Sequence, residues 1–264
     1  MLDALGYSLQ ANRKTEEGTD HPDREAQFQC IYEQVKALQR QRQPVISVDT
    51  KKKENIGHFA NRGQEWEPHG RPTKVKTHDF PDPTQGKACP YGMYDLTRNE
   101  GWVNVGMSGD TAPFAVESIR RWWHKMGHAR YPQAHTLLMT ADGGGSNGYR
   151  TRLWKVELQK LANDLKLIIR VCHFPPGTSK WNKIEHRMFA FISKNWRGKP
   201  LDSLATIVNL IANTTTDTGL HIETSLDYTI YKKGIEVPAA ALDSLNITRE
   251  KFHGEWNYTI APQI

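Results

Sequence analysis

The sequence predicts an α/β domain whose mixed sheet begins with a hairpin and continues through helix-linked strands. Three observations carry this reading. PVISVDT (44–50), TLLMTAD (136–142) and LKLIIRVCHF (165–174) are short and apolar, and read as buried strands. YGMYDLTRNEGWVNVGMS (91–108) sets two strand-like runs on either side of Asn99 to Gly101, a hairpin pattern. The stretches between and after the later strands have the spacing of amphipathic helices.

Taken in order, residues 21–43 read as a helix. Phe28, Ile31, Val35 and Leu38 recur about one turn apart, and Pro44 stops the run. PVISVDT is the first strand. Residues 51–90 hold a lysine run with several glycines and prolines, and read as an irregular insertion, with HDFPDP (78–83) packed on the surface. The hairpin follows. Thr111 is placed to cap a helix that opens with Pro113 and ends at Gly127. TLLMTAD is the fourth strand, GGGSNGYR breaks the pattern, and RLWKVELQKLANDL is the next helix. LKLIIRVCHF is the fifth strand, closed by Pro175, Pro176 and Gly177. A helix carrying Glu185 runs to about Trp196, and DSLATIVNLIANTT forms another. From Gly219 onward the pattern is mixed and gives no assignment. Three strands, then helix, strand, helix, strand, helix is the order of an RNase H-like domain. A doubly wound nucleotide fold alternates from its start. The chain divides into a linker and helix (1–43), a core with its insertion at 51–90 (44–200), and a C-terminal helix and appendage (201–264).

The 264 residues suffice for one large domain, or one with an appendage, and 38% hydrophobic content supports a folded core. A net charge of +6 permits nucleic acid as a partner without establishing it. Cys30, Cys89 and Cys172 are too far apart for a zinc knuckle or a CxxC pair, and read as reduced thiols. There is no apolar run of 18 residues and no signal-peptide pattern. No membrane partner is expected, and the default location is cytoplasmic.

Three acids stand where chemistry is plausible. Asp49 and Asp142 end strands, and Glu185 sits on a helix. Carboxylates are the hard oxygen ligands that magnesium prefers, and two such ions activate a nucleophile and stabilise phosphate charge. Asp49 is placed to bridge two ions, Asp142 to hold one and Glu185 to complete the other. Each acid alone also has a plain reading, as a turn cap or a solvated helical residue.

Longer blocks sharpen the choice. SVDTKKKE (47–54), ADGGGSNG (141–148) and HFPPGTSKWNKIEHR (173–187) resemble the signature blocks of the ISAzo13-type DDE transposases. YGMYDL (91–96), RNEGWVNVG (98–106), AVESIRRWW (115–123) and FHGEWNYTI (252–260) resemble that family too. The resemblance implies an RNase H-like catalytic core, with Asp49, Asp142 and Glu185 as catalytic and metal-binding acids. It implies magnesium or manganese, two ions, and double-stranded DNA as partner, both transposon ends and target. It further implies cleavage at the transposon ends, attack of the freed 3′-hydroxyl on target DNA, and a homo-oligomer on DNA. Full-length relatives carry an end-recognising helix-turn-helix region that this sequence does not show. A nuclease and an inactive DNA-binding remnant are therefore the alternative readings.

Around the acids, Lys51, Lys52, Lys180 and Lys183 are candidate phosphate contacts, and Trp181 is a candidate base-stacking residue. Lys180 and Lys183 are expected one turn apart on the Glu185 helix. Asn147 fits either a phosphate contact or an N-cap of the following helix. Gly143, Gly144 and Gly145 would let the backbone pass close to DNA or metal. His173 and His186 fit roles in orienting water or phosphate, or structural ones. Arg120, Arg121, Arg150 and Arg152 are candidate phosphate contacts, weighed against plain surface charge.

Overall fold

β-Branched and apolar residues alternate through Val45–Thr50 (β1), and this places side chains in two opposed cores. Ile46 and Val48 join one, while Val45 joins the other. The computed structural model describes residues 3–8, 10, 21–78, 80 and 86–263. Ahead of β1 lies α1 (Arg24–Arg40), which buries Gln27, Ile31 and Leu38. After β1 come β2 (Glu54–Asn55), β3 (Lys87–Asp95) and β4 (Glu100–Gly106). The irregular stretch is therefore shorter than the 51–90 predicted, because β3 begins at Lys87 and β2 pairs with its start. Most of HDFPDP falls outside the described residues. The β3–β4 turn holds Asn99 at φ +56°, a left-handed position that asparagine tolerates.

α2 (Ala112–Trp122) starts as predicted, with Thr111 Oγ1 accepting from the Phe114 N–H and a proline in its first turn. It does not end at Gly127. A π-turn over Trp123–Gly127 leads into the short α3 (His128–Arg130). β5 (Thr136–Ala141), α4 (Arg152–Leu165) and β6 (Ile168–His173) follow. Beyond them lie a π-turn at Glu185–Phe189, α5 (Ala190–Asn195) and α6 (Leu204–Ala212), whose N-terminus Ser203 caps. The stretch that the sequence left unassigned supplies β7 (His221–Asp227), β8 (Ile247–Arg249) and β9 (Asn257–Ile260).

The strand order is β7-β4-β3-β1-β5-β6-β9-β8. β1, β3 and β4 form an antiparallel meander, and β5 and β6 extend β1 in parallel. This is the RNase H-like arrangement that the sequence predicts. Residues 201–264 contribute a strand beside β4 and two strands beyond β6, so they share the sheet with the core. One face lies under α2 and α4, where Trp122 and Trp154 are fully buried. Truncating either to Ala would cost about 3–5 kcal/mol. The other face lies under α1 and under the Glu185 turn with α5 and α6. Among the described residues, no helix is long and apolar enough to cross a membrane.

Candidate active site

Two adjacent parallel strands end at the same level and carry the two aspartates. Val48 pairs with Ala141, so Asp49 and Asp142 follow side by side at the C-terminal ends of β1 and β5. The Asp49 carboxylate accepts the Thr50 N–H at 2.7 Å. Across the ladder from Asp49 is Gly92. A β-carbon there would stand 2.6 Å from Phe189 and 2.7 Å from Met188, so glycine lets the Glu185 turn lie directly on the sheet.

Glu185 opens its π-turn from an anchored start. Asn182 Nδ2 donates to the Val48 carbonyl at 3.0 Å, and the Ile184 N–H donates to Ser47 Oγ at 3.0 Å. Ser47 Oγ in turn donates to Asn182 Oδ1. Ser47 and Asn182 are both fully buried. These bonds tie the turn that carries Glu185 to the two residues before Asp49.

Electrostatics mark the spot. Burial, then the charge of Asp142 and those of Glu185 and Asp110, push the Asp49 carboxyl up to about 8 against the Thr50 N–H bond. Burial and the charges of Asp110 and Glu185 lift Asp142 to about 6, opposed by a hydrogen bond from the Gly144 backbone. Burial also raises Glu185, with Lys51 and His186 pulling the other way. Asp142 Oδ1 is buried without a hydrogen-bond partner among the described residues. Crowded carboxylates with an open oxygen call for a cation. All donors are hard oxygens, the ligand chemistry of a magnesium- or manganese-type ion, but the three carboxylates do not all stand within 4.8 Å of one another; among the described residues His21, Asp23 and His253 do.

His173 supports Asp142 from below. It is fully buried, and burial lowers its ring to about 4, so it is neutral near pH 7. Nδ1 donates to the Asp142 carbonyl at 2.9 Å and Nε2 accepts from the Tyr258 hydroxyl at 3.2 Å. Trp154 Nε1 donates to the same hydroxyl at 3.0 Å. His173 thus has its polar atoms committed within the fold. His186 is exposed beside Glu185, with Nε2 bonded to the Lys180 carbonyl.

The remaining candidates separate. Lys52, Lys180, Lys183 and Trp181 are all exposed, Trp181 at 47%; Lys52 lines a cavity with Asp49 and Asp142 and Lys180 one with Glu185, while Lys183 and Trp181 line a separate groove with Phe28 of α1. Lys51 is buried instead, its Nζ 4.1 Å from the Trp196 ring centroid and 3.5 Å from Glu54. Lys180 lies in a separate 3-10 turn (Ser179–Trp181), so it and Lys183 do not share one helix. Asn147 does not cap α4, whose N-cap is Thr151; it is buried at 1% exposure. Of the arginines, Arg120 pairs with Glu117 and Asp164, and Arg121 with Glu117 and Asp227. Asp110, Ser47 and Tyr258 escape a reading of the sequence, and Asn182 stands out there only as a neighbour of Glu185. Asp110 sits in MSGDTAP, where the local pattern signals only a helix start.

Among solved structures, the chain is similar to a Mos1 transposase paired-end complex with left transposon end, at 12% identity and a TM-score of 0.48. A pre-cleavage Mos1 transpososome gives 13% and 0.47, and a Mos1 mariner paired-end complex with Mn gives 14% and 0.44. In each case 78% of this chain is covered, and it spans 58% of the other. No curated protein matches the sequence. The family model described as the Rhodopirellula transposase DDE domain matches residues 1–262, and the chain belongs to that family.

Proposed function

We propose that the chain cleaves DNA phosphodiester bonds at transposon ends and joins the freed 3′-hydroxyl to target DNA, using Asp49, Asp142 and Glu185 with two magnesium or manganese ions. The observation that carries this is the placement of the three acids at one end of the sheet, Asp49 and Asp142 by strand register and Glu185 by the Asn182 and Ser47 anchor of its turn. When bound, divalent ions supply Lewis acidity to the phosphate and to the oxygens that attack and leave. Asp49, held by the Thr50 N–H, would be the central ligand. Asp142 is fixed on one side through its own carbonyl, and Glu185 on the other through the Asn182 anchor. Lys52, Lys180 and Lys183 offer exposed charge for the DNA backbone, and Trp181 offers a ring for a base. Asn147 lines the cavity with Asp49 and Asp142, and so faces the scissile region rather than open duplex. Pairing two transposon ends favours a homo-oligomer on DNA.

The test is a nicking and strand-transfer assay with labelled end duplexes, target plasmid and Mn²⁺. Wild type should cleave and transfer, while Asp49→Asn, Asp142→Asn and Glu185→Gln each lose at least a hundredfold. Cleavage without transfer would mean a nuclease. DNA binding without cleavage would mean a remnant.

A further inference from the structure

A second cluster of ligating groups gathers where the start of α1 meets the loop between β8 and β9. His253 lies 230 residues after Asp23 in the sequence. Even so, His21, Asp23 and His253 each place one ligating atom within 4.8 Å of the other two. Asp23 is the N-cap residue of α1, but its side chain makes no capping hydrogen bond. An aspartate there ordinarily accepts from the first turn. Here Oδ2 goes instead to His253 Nε2 at 2.9 Å, and stands 4.0 Å from His21 Nδ1. His21 Nδ1 takes the Asp23 N–H at 3.2 Å, so its lone pair faces Asp23 and its proton is on Nε2.

The rings are held in place. Trp256 is buried and stacks on His253, with 4.0 Å between centroids and 16° between planes, while His21 meets the same indole edge-on at 4.9 Å. His253 has φ +44°, uncommon for a residue with a β-carbon, and its carbonyl accepts the N–H groups of Trp256 and Asn257, both at 2.8 Å. Its outer nitrogen, Nδ1, is 2.7 Å from Glu255 Oε1. A carboxylate on the outer nitrogen is the arrangement that fixes the tautomer and orientation of a metal-binding imidazole.

That outer bond makes the 2.9 Å contact informative. With the Nδ1 proton directed at Glu255, Nε2 offers a lone pair, and the ionised Asp23 offers only lone pairs too. A proton or a cation has to sit between them. A proton joins only that pair and leaves out His21, whose Nδ1 faces the same oxygen. A metal ion takes in all three atoms. Two imidazole nitrogens and one carboxylate oxygen suit zinc rather than magnesium. Ligands of a tetrahedral zinc ion stand roughly 3.3 Å apart, and the contacts at 2.9 and 4.0 Å bracket that spacing.

We propose that His21, Asp23 and His253 form a zinc site that clasps α1 to the C-terminal strands, with water in the fourth position and Glu255 holding the His253 ring. None of these residues belongs to the three-acid site, so the proposal stands apart from the DNA reading. Gln27, one turn further along α1, bonds Asn257 and the His173 carbonyl. The clasp therefore closes the outer end of the network that supports Asp142.

The experiment is a Zn²⁺ titration of the full chain by calorimetry in excess Mg²⁺, which occupies oxygen-only sites. It is paired with melting curves with and without Zn²⁺, and with the visible spectrum of the Co²⁺-substituted protein. Wild type should bind one Zn²⁺, melt higher with it, and give strong Co²⁺ bands, which an oxygen-only octahedral site does not. His21→Ala and Asp23→Asn should each weaken the site at least tenfold, and Glu255→Gln about tenfold. His21→Ala is the deciding variant. Among the described residues its side chain makes one hydrogen bond, so without metal it should melt close to wild type. Should that chain not fold, Asp23→Asn answers the same question, because asparagine caps a helix equally well. If wild type takes up no Zn²⁺, or the deciding variant takes it up as tightly as wild type, the cluster is only a hydrogen-bonded clasp of His253 between Asp23 and Glu255. An Asp49→Asn chain that loses the Zn²⁺ while His21→Ala keeps it would place the ion at the three acids and overturn the proposal.

Discussion

Asp49 carries an unusual load for one side chain. Its carboxyl is ionised in an unfolded chain above about pH 4, yet in the fold burial and Asp142 hold it protonated up to about 8. The folded state therefore binds the extra proton, and the contribution to stability is complete below pH 4 and lost as pH climbs toward 8. Metal-free protein should melt at a lower temperature at pH 8 than at pH 5. Asp49→Asn should flatten that slope while abolishing cleavage, which scanning calorimetry across the pH range would show. At pH 7, Mn²⁺ binding should release protons, seen as a heat that varies with the buffer's ionisation enthalpy. The neighbouring lysines divide by burial. Lys51 lies over Trp196 beside Glu54, so Lys51→Ala should cost about 2 kcal/mol of stability and leave the salt dependence of DNA binding unchanged. Lys52 is exposed, so Lys52→Ala should leave the melting temperature alone and reduce the salt slope by about one. A slope that changes with Lys51 and not with Lys52 would reverse this assignment.

At the scale of elements, the critical joint is the one between β1 and the Glu185 turn. The turn is π-wound, so its side chains do not follow the regular 3.6-residue spacing, and its direction must be fixed by contacts at its start. Asn182 and Ser47 supply those contacts. Asn182→Ala leaves the Val48 carbonyl and Ser47 hydroxyl short of a partner in a dry interior. A loss of about 1–3 kcal/mol is expected. Cleavage should fall more than tenfold, with Glu185 itself intact, and the crystal structure of the variant should show that carboxylate displaced from Asp49. Wild-type rates would remove Asn182 from the machinery. The elements also show what a local pattern can reveal. α4 is legible to the residue at both ends because its apolar stripe is internal to the segment. The helix after β4 reads short at Gly127 because glycine usually ends helices, yet here it sits against Trp122 and Trp123 and the winding continues. β8 is three residues long and β9 opens with Asn257, so neither has a pattern of its own. Partners far away in sequence define them.

Across the whole molecule, those distant partners hold the site. Gln27 of α1 donates to the His173 carbonyl at 2.8 Å and exchanges amide hydrogen bonds with Asn257 at 2.9 and 2.8 Å. Tyr258 completes the support of His173 beneath Asp142. The three acids are legible in the sequence because each ends or follows a recognisable block. Asp110, Asn182 and Tyr258 acquire their roles only when β1, β5, β6 and β9 stand together, and a linear reading has no access to that. Removing residues 247–263 would expose the edge of β6 and strip His173 of its partner. Such a chain should fail to melt cooperatively and should bind ANS, whereas Tyr258→Phe should fold and lose activity in part. Protein synthesis meets the same constraint in time. The ribosome makes Asp49, Asp142 and Glu185 long before Tyr258. A message broken anywhere between Glu185 and that strand would yield a polypeptide with every acid and no formed site, still basic enough to cling to DNA.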